Sequence, residues 1–235
     1  PVILYLHGGG YISGSLGTHQ EVMGRLALAS GLAVLGVDYR RAPEHPFPAA
    51  LEDALVAYRG LLGEGVETRR LALAGDSAGG GLALALLATL RDFGYGLPRT
   101  AALLSPWVDL TLTAPSLEER RHLDKVLHPV ILERAAELYL AGADPRDPRV
   151  SPLFGDLAGL PPMLVQVGTA ELLFDDSRRL AARLREAGNS VDLRIWEEML
   201  HFWQFYASIL PEGGAAIEEA GRFLAPRGAL DGSPE

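Results

Sequence analysis

Three short stretches carry residue types that together could transfer an acyl group. Gly75-Asp76-Ser77-Ala78-Gly79 fits the pattern GxSxG and stands between a short apolar run and a long one. A strand that turns this abruptly into a helix holds its middle residue in a strained conformation and admits only small neighbours. The Ser77 hydroxyl is then expected at a helix N-terminus, where free amides and the helix dipole favour developing negative charge. His7-Gly8-Gly9-Gly10 ends another apolar run. Its glycines let the backbone approach a substrate and turn N–H groups toward a carbonyl oxygen that is becoming an oxyanion. Gly8 and Gly9 are the expected donors, with the Ala78 amide completing the hole. His201, within Met199-Leu200-His201-Phe202, is the expected base that takes the proton of Ser77.

The elements that must position these groups are legible as apolar runs. Val2–Leu6, Ala33–Val37, Leu71–Ala74, Ala101–Leu104 and Met163–Val167 read as strands covered on both faces. Val191–Trp196 alternates apolar and polar residues, which suits an edge strand. Helical spacing links Val22, Leu26 and Ala29 behind a capping box at Thr18–Glu21, and links Leu51, Ala54, Leu55, Tyr58, Leu61 and Leu62. Further helices are expected near 78–91, 129–141 and 175–187, the first apolar all round and therefore deeply buried. Six strands alternating with helices predict one α/β domain over residues 1–235, a mostly parallel sheet with helices on both faces. About 55 residues, near 107–161, separate the fourth and fifth strands; an insertion at the carboxyl edge of a parallel sheet covers a site. The tail from Pro226 is polar and is expected to be mobile.

Composition excludes several function classes. The 235 residues carry 21 Lys and Arg against 30 Asp and Glu, for a net charge of −9. That balance argues against nucleic acid as a partner. The absence of cysteine removes disulfides, thiolate zinc sites and a thiol nucleophile. Lys125 is the only lysine, and no Gly-Lys-Ser/Thr loop for nucleotide phosphates exists. Ser77–Leu90, an uncharged stretch of fourteen residues with Gly, Ser and Thr, is too short to span a bilayer. Gly8, Gly10 and Gly14 mimic a dinucleotide loop at the wrong spacing. No two histidines stand at the i, i+4 metal spacing, so no metal is assigned.

His7-Gly8-Gly9-Gly10-Tyr11, Asp38-Tyr39-Arg40 with Ala42-Pro43-Glu44-His45, Gly75-Asp76-Ser77-Ala78-Gly79-Gly80 and Ser105-Pro106-Trp107 resemble the hormone-sensitive-lipase-like esterases of the alpha/beta-hydrolase superfamily. The resemblance covers nearly the whole chain. It implies hydrolysis of small carboxylic esters of short to medium acyl chain through a Ser-acid-His triad, with no cofactor. A silent ligand-binding relative and an amide- or peptide-cleaving hydrolase are the competing readings. That family has Asp-Pro-x-x-Asp-Glu/Asp after the fifth strand, its first Asp catalytic. Anchoring on Asp175-Asp176 puts Glu171 at that position and Leu172 in place of Pro, with Asp175 the alternative acid. Asp175 and Asp176 also read as first-turn anions of the next helix. Asp38, Arg40 and Pro43 are expected to shape the loop after the second strand, and Asp76 to brace the elbow. Family members carry an N-terminal segment with cap helices and first strands. Its absence here is expected to leave Ala33–Val37 as an unpaired apolar edge and the 235-residue chain poorly soluble. A cytoplasmic location is expected, and a homo-oligomer is compatible with the sequence.

Overall fold

The apolar runs at Val2–Leu6 (β1), Leu71–Asp76 (β3), Thr100–Leu104 (β4) and Met163–Gly168 (β5) form the buried centre of a sheet, because helices exclude water from both of its faces. The computed structural model describes residues 1–226, so the tail expected beyond Pro226 lies outside the described residues. With Ala33–Val37 (β2) and Val191–Trp196 (β6), the strands run in the order β2-β1-β3-β4-β5-β6, and every pair is parallel. The six expected strands and their parallel arrangement are present.

Helices α1 (Leu16–Ser30) and α7 (Pro211–Leu224) pack together against one face, over Ile3, Tyr5, Ala72, Ala74, Ala102 and Leu164. Helices α2 (Ala49–Gly63), α3 (Ser77–Asp92) and α6 (Phe174–Glu186) bury Leu4, Leu6, Leu73, Leu103 and Val165 on the other face. The one-residue alternation of these two sets is the pleat of the sheet read through the core. Between β4 and β5 lie a short helix α4 (Ser116–Glu119) and a longer one, α5 (Pro129–Leu140), the latter within the stretch expected from its spacing. Proline at the first position of α5 sets its φ without forfeiting a bond.

Two local expectations need correction. The capping box of α1 stands three residues earlier than read: Ser15 is the N-cap, its Oγ accepting from Thr18 N–H and its own N–H donating to Thr18 Oγ1. Thr18 is therefore inside the helix, at the third position, where its hydroxyl can reach back. α7 had no counterpart in the sequence reading. β2, read as covered on both faces, is instead an outer strand, paired among the described residues with β1 alone; none of its five residues is buried, and Leu35 is 43% exposed.

One close approach positions the elbow. A Cβ on Gly79 would stand 2.0 Å from Leu6 O and 2.5 Å from His7 O, so the first turn of α3 rests directly on the end of β1. Gly79→Ala must push these elements apart. It is expected to destabilise the fold by about 1–3 kcal/mol, read as a lower urea midpoint with an unchanged slope.

Candidate active site

β3 passes into α3 at Ser77, which takes φ +51, the left-handed region that costs a side-chain-bearing residue about 1–2 kcal/mol. The turn aims Ser77 Oγ at His201 Nε2, 2.9 Å away. His201 stands beyond β6, just before Phe202, which is itself at φ +51. On its far side, His201 Nδ1 meets Glu171 Oε2 at 2.7 Å. A carboxylate can only accept there, so Nδ1 carries the proton and Nε2 is free to accept from the Ser77 hydroxyl. Ser77 is 8% exposed, His201 5% and Glu171 0%, so the line runs from the cavity surface into the interior.

Glu171 lies in the turn between β5 and α6, and its other oxygen is also engaged. Oε1 accepts from Gly168 N–H (2.8 Å) and from Ser105 Oγ–H (2.9 Å). Burial raises the Glu171 pKa, while the His201 hydrogen bond and these two donors pull against it. Burial acts to lower the His201 pKa, but the hydrogen bond and charge of Glu171 outweigh it, and the imidazole stands above its ordinary value. The two groups titrate as a pair.

Asp175, the alternative acid, is placed elsewhere. Its Oδ2 accepts from Ser116 N–H (3.0 Å), and its Oδ1 stands 3.2 Å from an Arg178 nitrogen. The first turn of α6 directs it to the insertion and away from His201. Asp176 is buried beside it, its Oδ2 accepting from Val108 and Asp109 N–H. Burial pushes its pKa up to about 7 against the opposing charge of Arg179. The two anions read as first-turn residues thus also fasten the insertion.

The glycine loop requires a correction. Gly8 N–H donates to Asp76 Oδ1 at 3.0 Å, which removes it from the donors expected to face a substrate. Asp76 is buried and also accepts from Tyr5 O–H (2.7 Å) on Oδ1, while His19 Nε2 lies 3.3 Å from its Oδ2. It braces the loop and the elbow at once. Gly9, at φ +117, and Gly10 line a cavity of about 310 Å³, and their amides have no partner among the described residues. Ala78 is the second residue of α3, so its amide is one of the helix's unpaired first-turn donors. The cavity is also lined by Ser77, His201, Trp107, Leu127, Leu132 and Phe202, with His19 and Asp76 among its polar residues, so the Ser77–His201 pair opens on a chiefly apolar chamber.

Two further residues tie these parts together: Ser105, noted above only as part of Ser105-Pro106-Trp107 with no role assigned, and Asp124, which no motif singled out. Ser105 directly follows β4, at φ +48; besides donating to Glu171, it accepts from Phe202 N–H at 3.2 Å. Asp124, in the insertion, accepts from Leu172 N–H through Oδ2 and from Val126 and Leu127 N–H through Oδ1, each at 2.8 Å. Among the described residues no group of three or more His, Cys, Asp or Glu could hold a metal ion, and no helix is long and apolar enough to cross a membrane.

Residues 3–205 match the model of a family described as alpha/beta hydrolase fold. The chain belongs to that family. An acetyl-hydrolase of Streptomyces hygroscopicus is 51% identical over 222 residues, covering 94% of this chain and 74% of the relative. An esterase from the bacterial hormone-sensitive lipase family superposes with a TM-score of 0.94 at 50% identity. EstE5, solved after soaking with p-nitrophenyl butyrate, superposes with a TM-score of 0.93 at 47% identity. Each of these two structures covers 95% of this chain, which spans 75% of each of them. The resemblance to hormone-sensitive-lipase-like esterases therefore extends over nearly the whole of this chain.

Proposed function

We propose that this alpha/beta hydrolase is a serine carboxylesterase for small neutral esters of short to medium acyl chain. The observation that carries this is the unbroken line Ser77 Oγ, His201 Nε2, His201 Nδ1, Glu171 Oε2, with spacings of 2.9 and 2.7 Å about the imidazole. His201 takes the hydroxyl proton as Ser77 Oγ bonds to the ester carbonyl carbon, and the carbonyl oxygen becomes an oxyanion. Gly9, Gly10 and Ala78 N–H hold that oxyanion; losing one such donor typically costs about 2.7–4 kcal/mol of transition-state stabilisation. His201 then returns the proton to the leaving alcohol, which departs and leaves Ser77 acylated. Water repeats the sequence: His201 takes its proton, the hydroxyl adds to the acyl carbon, and the carboxylic acid leaves as Ser77 regains its hydrogen. Glu171 fixes the tautomer and balances the imidazolium.

Substrate class is supported by the cavity, whose chiefly apolar walls hold no Lys or Arg for a charged acyl group and whose His19 already faces Asp76, and by the ester soaked into EstE5. The test is hydrolysis of p-nitrophenyl butyrate together with one-to-one labelling by a fluorophosphonate. A protein that neither turns over the ester nor takes up the label is a silent binder.

The pH dependence follows from the base. His201 must be neutral to accept the proton, and its pKa is raised by Glu171, so kcat/KM is expected to fall on the acid side with a midpoint above the ordinary imidazole value of 6.5. A pH–rate profile checks this, and a midpoint below 6.5 contradicts it.

A further inference from the structure

The Ser105 hydroxyl belongs to none of the reacting groups, yet it touches the supports of two of them. β4 lies in the sheet between β3, which carries Ser77, and β5, which leads into the turn of Glu171. Ser105 directly follows that strand with no exposed surface, its own N–H donating to Gln166 O of β5 at 2.8 Å. Its Oγ gives its single proton to Glu171 Oε1 and accepts from the N–H of Phe202, the residue after His201. One hydroxyl therefore joins the loop of the acid to the loop of the base. The other donor to Oε1, Gly168 N–H, comes from the end of β5, three residues before Glu171, and ties the carboxylate only to its own segment.

The backbone adds a second argument. At φ +48 a serine is held where glycine rests without steric penalty. Local strain of this kind persists only when the surroundings enforce it, and the restraints on Ser105 include the two hydrogen bonds of its side chain together with its N–H bond to Gln166 O.

We propose that Ser105 is a positioning residue for the Glu171–His201 pair, its hydroxyl holding the carboxylate's rotation and the His201 loop in mutual register. The inference rests on the esterase reading of Ser77 and His201. During proton transfer the imidazole must stay aligned with both Ser77 and Glu171 while its charge changes. A carboxylate free to turn about its last bond loses that alignment, whereas one fixed at Oε1 from a neighbouring strand keeps Oε2 opposite Nδ1.

The test compares Ser105→Gly and Ser105→Ala with the parent, using p-nitrophenyl butyrate. Ser105→Gly removes the hydroxyl while relieving the backbone, so it is expected to keep a cooperative thermal transition. Its kcat is expected to fall about 10- to 100-fold with KM little changed, the loss typical of a small misplacement of reacting groups. The acid limb of kcat/KM is expected to move to lower pH, because a less firmly held Glu171 supports the imidazolium less. Ser105→Ala is expected to show the same kinetic changes on a less stable fold.

Folded Ser105→Gly with the parental kcat and an unmoved acid limb overturns the proposal. So does a variant whose activity falls only in proportion to the fraction of sites labelled by a fluorophosphonate, since a merely structural role gives that result. Turnover surviving in Ser77→Ala, or an inactive parent, would instead overturn the esterase reading and this inference with it. Measuring those two proteins first separates the failures.

Discussion

Ser77→Ala is expected to lower kcat for p-nitrophenyl butyrate by about 10⁶-fold, the loss seen when the nucleophile of such a constellation is removed. The same variant should take up no fluorophosphonate label while retaining the parental unfolding midpoint within experimental scatter. Its amides at Gly9, Gly10 and Ala78 remain, so the residual rate stays above that of water alone. Steady-state kinetics and intact-mass measurement after labelling check both parts. A variant within tenfold of the parent would remove Ser77 from the reaction.

Glu171→Gln is expected to cost about 10⁴-fold in kcat, and the reason lies in the hydrogen bonds around the carboxylate. Position Oε1 receives two donors, Gly168 N–H and Ser105 O–H, so the amide oxygen of Gln must sit there. The amide nitrogen is then forced to the Oε2 position and donates to His201 Nδ1. That fixes the wrong tautomer: Nε2 carries the proton and can no longer accept from Ser77. Asp175→Asn, which alters only the contacts to Ser116 and Arg178, is expected to leave kcat within severalfold of the parent. Equal losses in the two variants would mean that the acid has been assigned to the wrong residue.

The four central strands were readable because a parallel sheet covered on both faces turns each one into an uninterrupted apolar run, and the outer β6 differed in the way its half-exposed position requires, whereas the apolar run of the outer β2 is not covered in that way. α7 was not readable. Its sequence holds Gly213, Gly214 and Gly221, and much of its buried stripe is Ala216 and Ala220, so propensity and periodicity are both weak. Packing against α1 decides the matter, and that information is not local. The same limit separates the parts of the site. Ser77, His201 and Glu171 stand in stretches with their own signatures, carried by an elbow and by family spacing. Which amide of three consecutive glycines faces the cavity depends on where Asp76 sits, and that carboxylate reaches Gly8 across 68 positions of chain. Ser105 and Asp124 act through bonds to segments 66 and 48 residues away; the Ser105-Pro106-Trp107 motif marks the first without showing what it bonds, and the neighbours of Asp124 give no sign at all.

Asp124 also sets a limit on redesign. One carboxyl group clasps Val126 and Leu127, which form the wall of the chamber, and at the same time the amide that follows Glu171. Grafting the 107–161 segment from another esterase to alter acyl preference therefore also replaces a fastener of the acid. A chimera that retains an aspartate at this junction can change selectivity alone, whereas one that loses it exchanges selectivity and turnover together.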